Sequence, residues 1–332
     1  MRLIQYREKD GSRKVGLVTQ DGDHVRPIRG VATVFELANM AIDKRKPLAK
    51  LAEQQAAATR VDYLALLKAG RVLAPVDHPE PARLLVTGTG LTHLGSADAR
   101  NRMHVATHGG GAPDSDSMKI FRMGIKGGRP AKGKIGVQPE WFFKGVGTCV
   151  LAPGAALPLP AFALSGAEEP EIVGLYLNDK RGRPRRIGYA LGNEFSDHVT
   201  EAQNYLYLAH SKLRACSIGP ELLVGQLPHD VHGTSRILRK GKVIWQDEFL
   251  SGEANMSHTV ANLEHFHFRY PMFRRPGDLH AYFFGAAVLS YAAGVKTAPG
   301  DEFVIEAKAF GQPLRNRMER VADEGLVEVT AL

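Results

Sequence analysis

The chain has 332 residues, 44% of them hydrophobic and 23% charged, enough for one large domain, or a small domain joined to a large one, around an ordinary buried core. Its net charge of +8 is concentrated in turn-like runs such as KGGRPAKGK (126–134) and KRGRPRR (180–186), without interleaved aromatics for base stacking, so no nucleic-acid partner is expected. No apolar stretch is long enough to cross a bilayer, the opening MRLIQYREKDG lacks the apolar core of a signal peptide, and two cysteines, Cys149 and Cys216, make neither a disulfide framework nor a thiolate metal site; a cytoplasmic protein with no membrane partner is expected.

Residues 2–28 read as a small antiparallel meander: RLIQYR, a turn at EKDG, KVGLVTQ, a turn at DGD, then HVRPI. Helices follow. Thr33 and Glu36 have capping-box spacing before FELANMAI, Pro47 interrupts, and LAKLAEQQAAATRVDYLALLKAG supplies one or two further helical stretches. The proline-rich LAPVDHPEPAR (73–83) reads as a linker, which gives a small N-terminal α/β domain over 1–75 and a larger one over 76–332. From Leu84 onward, short β-branched runs, turns and glycines predict a β-rich domain. Segment 104–134, rich in glycine and polar residues, reads as a mobile cover or an oligomer arm. ILRKGKVIWQDEF predicts a hairpin around Gly241, EHFHFRYPMF a packed helix and its exit, and DEFVIEAKAFG a strand with Phe303, Ile305 and Ala307 on one face. The histidine pairs His104/His108 and His265/His267 are read as structural or surface groups. No GxGxxG or GxxxxGK[ST] loop occurs, which removes the usual dinucleotide and nucleotide sites.

The chemistry concentrates in GAEEPEIVGLYLNDKRGRPRRIGYALGNEFSDH (166–198), an expected β-hairpin. Glu169 and Glu171, two apart on a strand, project to the same face about 6–7 Å from each other, and Glu194 stands just past the second strand, with no basic residue beside any of them in sequence. Three converging carboxylates suit a hard divalent cation (magnesium, manganese or calcium) that keeps open positions for water or a chelating substrate. The same spacing also fits three exposed glutamates beside a hairpin.

EEPEIVGLYL followed by GYALGNEFSDH resembles the metal-binding core of the fumarylacetoacetate hydrolase superfamily, in which an ExE strand precedes a GY…ND.S segment. PEWFFKG (139–145) is similar to the family's P..F.K motif, which makes Lys144 a site residue. HSKLRACSIGPELL (210–223) resembles its SK.FD…P.GP stretch, and the two PGD turns with the later LRN resemble its C-terminal sequence. The ordered matches run from about residue 84 to 318. The resemblance implies an α+β fold, a mixed β-sheet roll or sandwich of fumarylacetoacetate-hydrolase type, with a divalent cation, magnesium first, on Glu169, Glu171 and Glu194. It implies that Lys212 contacts substrate, orienting a carboxylate or enolate, or donating a proton if its pKa is depressed; the plain alternative is a surface amine.

Where the family's C–C bond hydrolases carry G.NY..H..E, this chain has GLTHLGSADAR (90–100), with Ser96 in place of the histidine, so the water-activating pair is missing. Thr92, Ser96 and Arg100 remain as candidate substrate-contacting residues on that strand and loop. The loss favours the sugar-acid branch, which dehydrates 2-keto-3-deoxy acids. The expected activity is therefore metal-dependent dehydration of such an acid, by a homodimer acting on a small 2-keto acid. The alternatives are a C–C bond hydrolase of a 2,4-diketo acid, and a sugar-acid-binding protein without turnover.

Overall fold

The computed structural model describes residues 1–95 and 115–332, so Ser96, Arg100, His104 and His108 lie outside the described residues. Two β-sheets dominate, a large one of 13 strands and a smaller one of five. In the large sheet the hairpin Pro170–Asn178 and Pro184–Asn193 lies at the centre, flanked on one side by Leu279–Phe283, Leu84–Gly88 and Phe142–Val146. On the other side Leu222–Leu223 joins the hairpin to the N-terminal meander, whose first strand, Arg2–Arg7, pairs with it antiparallel. A short strand, Cys216–Ile218, pairs with both the second hairpin strand and Val150–Leu151, so the sheet curls back on itself. The five-stranded sheet contains the hairpin Val231–Arg239 and Lys242–Ser251, followed by Glu302–Ala307, Leu314–Arg320 and Leu157–Leu159.

Local chemistry sets these elements. Thr33 caps the helix Val34–Asp43 by accepting from the Glu36 amide, while the Glu36 carboxylate accepts from the Ala32 amide at 2.7 Å. Pro47 opens the next helix, Leu48–Gln55. The central hairpin turns at Asp179, whose carboxylate accepts from the amides of Arg181 and Arg183, with Gly182 at φ 70° completing the reversal. The hairpin expected around Gly241 is present, with Lys240 and Gly241 both at positive φ, the signature of a two-residue type I′ turn. The described part of the glycine-rich segment expected as a cover or arm contains a helix, Asp116–Gly127, capped by Ser115. Its glycines serve close packing: a Cβ on Gly124 would lie 2.7 Å from His258, and one on Gly128 would lie 2.4 Å from the Ser257 carbonyl.

Every residue of the strand Pro170–Asn178 is buried, because both faces of it are covered. Val173, Leu175 and Leu177 join Phe283 and the N-terminal helices through Leu37 and Leu51 in one core. Ile172, Tyr176 and Phe284 join Phe249 and Ile305 of the second sheet in another. The expected Phe303, Ile305 and Ala307 face is buried, and Val304 on the opposite face is buried as well. His267 lies in a closed aromatic cluster, stacked on Phe273 and Tyr282, with Nε2 3.0 Å from His280 Nδ1. Among the described residues no helix is long and apolar enough to cross a membrane.

Two outcomes follow from this packing. Gly192 lies opposite Glu171, and a Cβ there would come within 2.5 Å of Phe283 and Val173; Gly192→Ala should cost about 2 kcal/mol of stability, read as a lower urea midpoint. Burial lowers the imidazoles of His93, His258 and His280 to about 4 from an ordinary 6.5. These three imidazoles therefore contribute a loss of stability as pH drops from about 6.5 toward 4, whereas Glu168, raised by burial to about 7, contributes a gain as pH falls through the same range. In urea unfolding at about pH 7 and about pH 5, Glu168→Gln removes the opposing contribution, so its midpoint should fall more between the two pH values than that of the wild type, and an equal fall would contradict this.

Candidate metal centre

The hairpin register places the acidic residues. Glu171 is the second residue of its strand, opposite Gly192, and Glu169 lies two residues earlier on the same face. Beyond the formal strands the ladder continues: the Glu194 amide donates to the Glu169 carbonyl at 3.0 Å, and Ala167 and Ser196 exchange both backbone bonds. Glu169 and Glu194 are thereby held side by side although neither lies within a strand. Each of Glu169, Glu171 and Glu194 offers an oxygen within 4.8 Å of the other two, and all three are buried. The alternative of three exposed glutamates is excluded.

Basic neighbours absent from the local sequence arrive from distant segments. Lys212, at the end of the helix Leu208–Lys212, donates to Glu169 Oε1 and, at 2.7 Å, to Glu194 Oε2; its Nζ also lies 3.7 Å from Glu201 and 5.1 Å from the Phe142 ring centre. Its side chain is 3% exposed, so it is no surface amine. Burial alone would lower its pKa, but Glu169, Glu194 and Glu201 raise it well above the ordinary lysine value. The condition for proton donation, a depressed pKa, is not met: Lys212 is held as a cation. Lys144 donates to Glu194 Oε1, to the Phe195 carbonyl at 2.8 Å and to the Lys212 carbonyl at 3.0 Å, which engages all three of its protons.

The three carboxyls are unequal. Burial, then repulsion from Glu169 and Glu194, pushes Glu171 well above the usual carboxylate range. Burial also raises Glu194, against the pull of Lys144 and Lys212. Burial would raise Glu169 too, but Lys212 and His198 bring it well below the usual range. Glu171 Oε2 accepts from the Gly285 amide at 2.6 Å, whereas its buried Oε1 has no hydrogen-bond partner. An orphaned carboxylate oxygen among three convergent hard donors is what a divalent cation of the magnesium class satisfies, so the residues fit such an ion.

Two participants, His198 and Glu201, were missed in the sequence, as was Glu140, a buried carboxylate four residues before Lys144. His198 lies 3.1 Å from Glu169 Oε1 through Nε2 and stacks on Tyr291; its place four residues after Glu194 was the available signal. Glu201 joins Lys212 from the following helical turn. Glu140 is buried, and alternation puts it on one face with buried Phe142 and Lys144; it lines a cavity of 680 Å³ together with Trp141, Tyr205 and Leu208. Thr92 stands behind the site: its hydroxyl donates to the Phe284 carbonyl, and a Cβ on Gly285 would meet that hydroxyl at 2.4 Å. It supports the turn whose amide holds Glu171.

No protein-family model matches the chain. A probable 2-keto-3-deoxyxylonate dehydratase of Haloferax volcanii is 34% identical over 115 residues, 33% of this chain and 38% of that protein. The 2-dehydro-3-deoxy-D-arabinonate dehydratase of Saccharolobus solfataricus is 27% identical over 218 residues, 62% of each chain. The match thus spans less than two thirds of either relative. Among solved structures, a 2-keto-3-deoxy-D-arabinonate dehydratase complexed with magnesium and 2,5-dioxopentanoate aligns with a TM-score of 0.69 at 18% identity, over 97% of this chain and 99% of that one. A 5-carboxymethyl-2-hydroxymuconate delta-isomerase from Mycobacterium smegmatis aligns at 0.57 with 17% identity, over 97% and 100%. At these identities the structures speak to the fold alone. The chain has a fold of the fumarylacetoacetate-hydrolase type. The relatives that the sequence resembles are the sugar-acid dehydratases.

Removing Lys212 leaves buried carboxylates short of a cation. Lys212→Met should destabilise the metal-free protein by about 3 kcal/mol. Added magnesium should raise its melting temperature by more than that of the wild type, as differential scanning fluorimetry would read. An unchanged metal-free melting temperature would show that the ammonium is not needed for charge balance.

Proposed function

We propose that the protein is a divalent-cation-dependent dehydratase of a 2-keto-3-deoxy sugar acid, a hydro-lyase that yields a dioxo acid. The observation that carries this reading is the buried triad Glu169, Glu171 and Glu194 with its orphaned Glu171 oxygen, in a chain similar in sequence to two such dehydratases. Glu169, Glu171 and Glu194 hold the cation, magnesium first among the candidates. When bound, it supplies Lewis-acid polarisation of a chelating 2-keto carboxylate, which acidifies the proton on C3. The residues of the chain do the rest. Lys212, held as a cation, orients the substrate carboxylate and balances the negative charge that develops as the C3 proton leaves. Lys144, with its protons already engaged, keeps Glu194 in place. Glu140 is the assigned proton carrier: its carboxylate takes the C3 proton and returns one to the departing C4 hydroxyl, so that water leaves.

The metal-loaded protein, incubated with a panel of 2-keto-3-deoxy acids and 2,4-diketo acids, is analysed by product mass. Loss of one water from a deoxy acid is expected. Two fragments from a diketo acid would make it a C–C bond hydrolase, and unchanged compounds would make it a binding protein. Glu171→Gln, which keeps the volume and removes the charge, should weaken magnesium binding by more than about tenfold in calorimetric titration with the fold intact. Wild-type affinity in that variant would remove Glu171 from the ligand set. Glu140→Gln should bind magnesium normally and lose most turnover.

A further inference from the structure

The only two cysteines of the chain are 67 positions apart, and the fold brings them together. Cys216 pairs in parallel register with Val150, the neighbour of Cys149, so the two cysteines sit at adjoining positions of paired strands and each thiol perturbs the other. They differ in access: Cys216 is fully buried, while Cys149 is half-buried. Cys149 ends the short turn Gly147–Cys149 that follows the strand of Lys144; a Cβ on Gly145 of that strand would lie 3.1 Å from the Cys149 sulfur, so glycine leaves room for that sulfur. Contact with Cys216 first, and Lys144 as well, hold the Cys149 thiol below its ordinary range although burial opposes them. One reachable thiol in front of one enclosed thiol is the arrangement of an attacking and a resolving cysteine.

We propose that Cys149 and Cys216 form a reversible intramolecular disulfide when the protein meets a peroxide. The Cys149 thiolate attacks one peroxide oxygen; an S–O bond forms, the O–O bond breaks, and the departing hydroxide takes a proton to leave as water. The Cys216 sulfur then attacks the sulfenic sulfur; the S–S bond forms, the S–O bond breaks, and the second hydroxide leaves as water with the Cys216 proton. Two thiols are oxidised by two electrons and one peroxide is reduced to two waters. The bond closes a loop that contains Glu169, Glu171, Glu194 and Lys212, so the cross-link fastens the chain around the metal centre. The inference does not depend on the proposed reaction.

The test treats the full-length protein with hydrogen peroxide, quenches with catalase and blocks remaining thiols. The expected result is a mass lower by two hydrogens, two titratable thiols falling to none after denaturation, and a linked peptide pair bearing Cys149 and Cys216, all reversed by dithiothreitol. In Cys216→Ser, Cys149 should stop as a sulfenic acid trapped by dimedone; if that variant does not fold, Cys149→Ser serves instead, and its Cys216 should stay unoxidised. Stable oxygen adducts on the wild-type protein, a disulfide between two copies, or two thiols surviving treatment would each overturn the proposal.

Discussion

Like charges held together away from water are the constraint on which the rest of this structure depends. Glu169, Glu171 and Glu194 are buried within reach of one another, and Glu201 and Glu168 are buried nearby. Such a cluster is tolerable only if positive charge and hydrogen-bond donors surround it closely. Lys212, Lys144, the Gly285 amide, the Ser196 hydroxyl and His198 supply them; the last two follow Glu194 directly, and the other three come from distant parts of the chain. The curl of the large sheet is what brings these parts within bonding distance. A flat sheet would leave the strand of Lys144 far from Glu194.

The donors divide the work unequally. Lys144 spends all three protons on fixed acceptors, so it belongs to the frame. Lys212 bonds two carboxylates and faces the Phe142 ring, which leaves it able to exchange one partner for another as the charge in the site changes. His198 reaches the same Glu169 oxygen that Lys212 does, so Glu169 keeps a donor whichever way Lys212 turns. Glu171 is the exception, with one oxygen tied to a backbone amide and the other without a partner. A supported frame with one incompletely satisfied oxygen is the feature on which the proposed cation site rests.

Much of this was legible in the sequence because it is encoded locally. Period-two alternation put Glu169 and Glu171 on one face, and Thr33 with Glu36 announced a helix start. The ordered motifs conveyed the fold class. What could not be read were relations between distant segments. Nothing local in the sequence places Lys144 against Glu194, sets Cys149 beside Cys216, or makes the N-terminal meander an extension of the central sheet. The depressed pKa considered for Lys212 also failed for this reason, since its sign depends on three carboxylates gathered from three other segments. Glu140 was missed although alternation with Phe142 and Lys144 was available to find it.

The parallel pairing of Leu279–Phe283 with Leu84–Gly88 governs the order in which the site can be assembled as the chain folds. The hairpin that carries the acidic residues closes through short-range contacts, whereas the Gly285 amide meets Glu171 across 114 positions and Thr92 meets Phe284 across 192. Closing such long loops costs more entropy and comes later. The acidic hairpin therefore forms while still open to solvent, where its repulsion is screened, and it is desolvated only when the late strands arrive. Burial of the charges and arrival of the donor amide are thus one event, and a chain halted before it keeps its glutamates hydrated instead of trapping them unpaired.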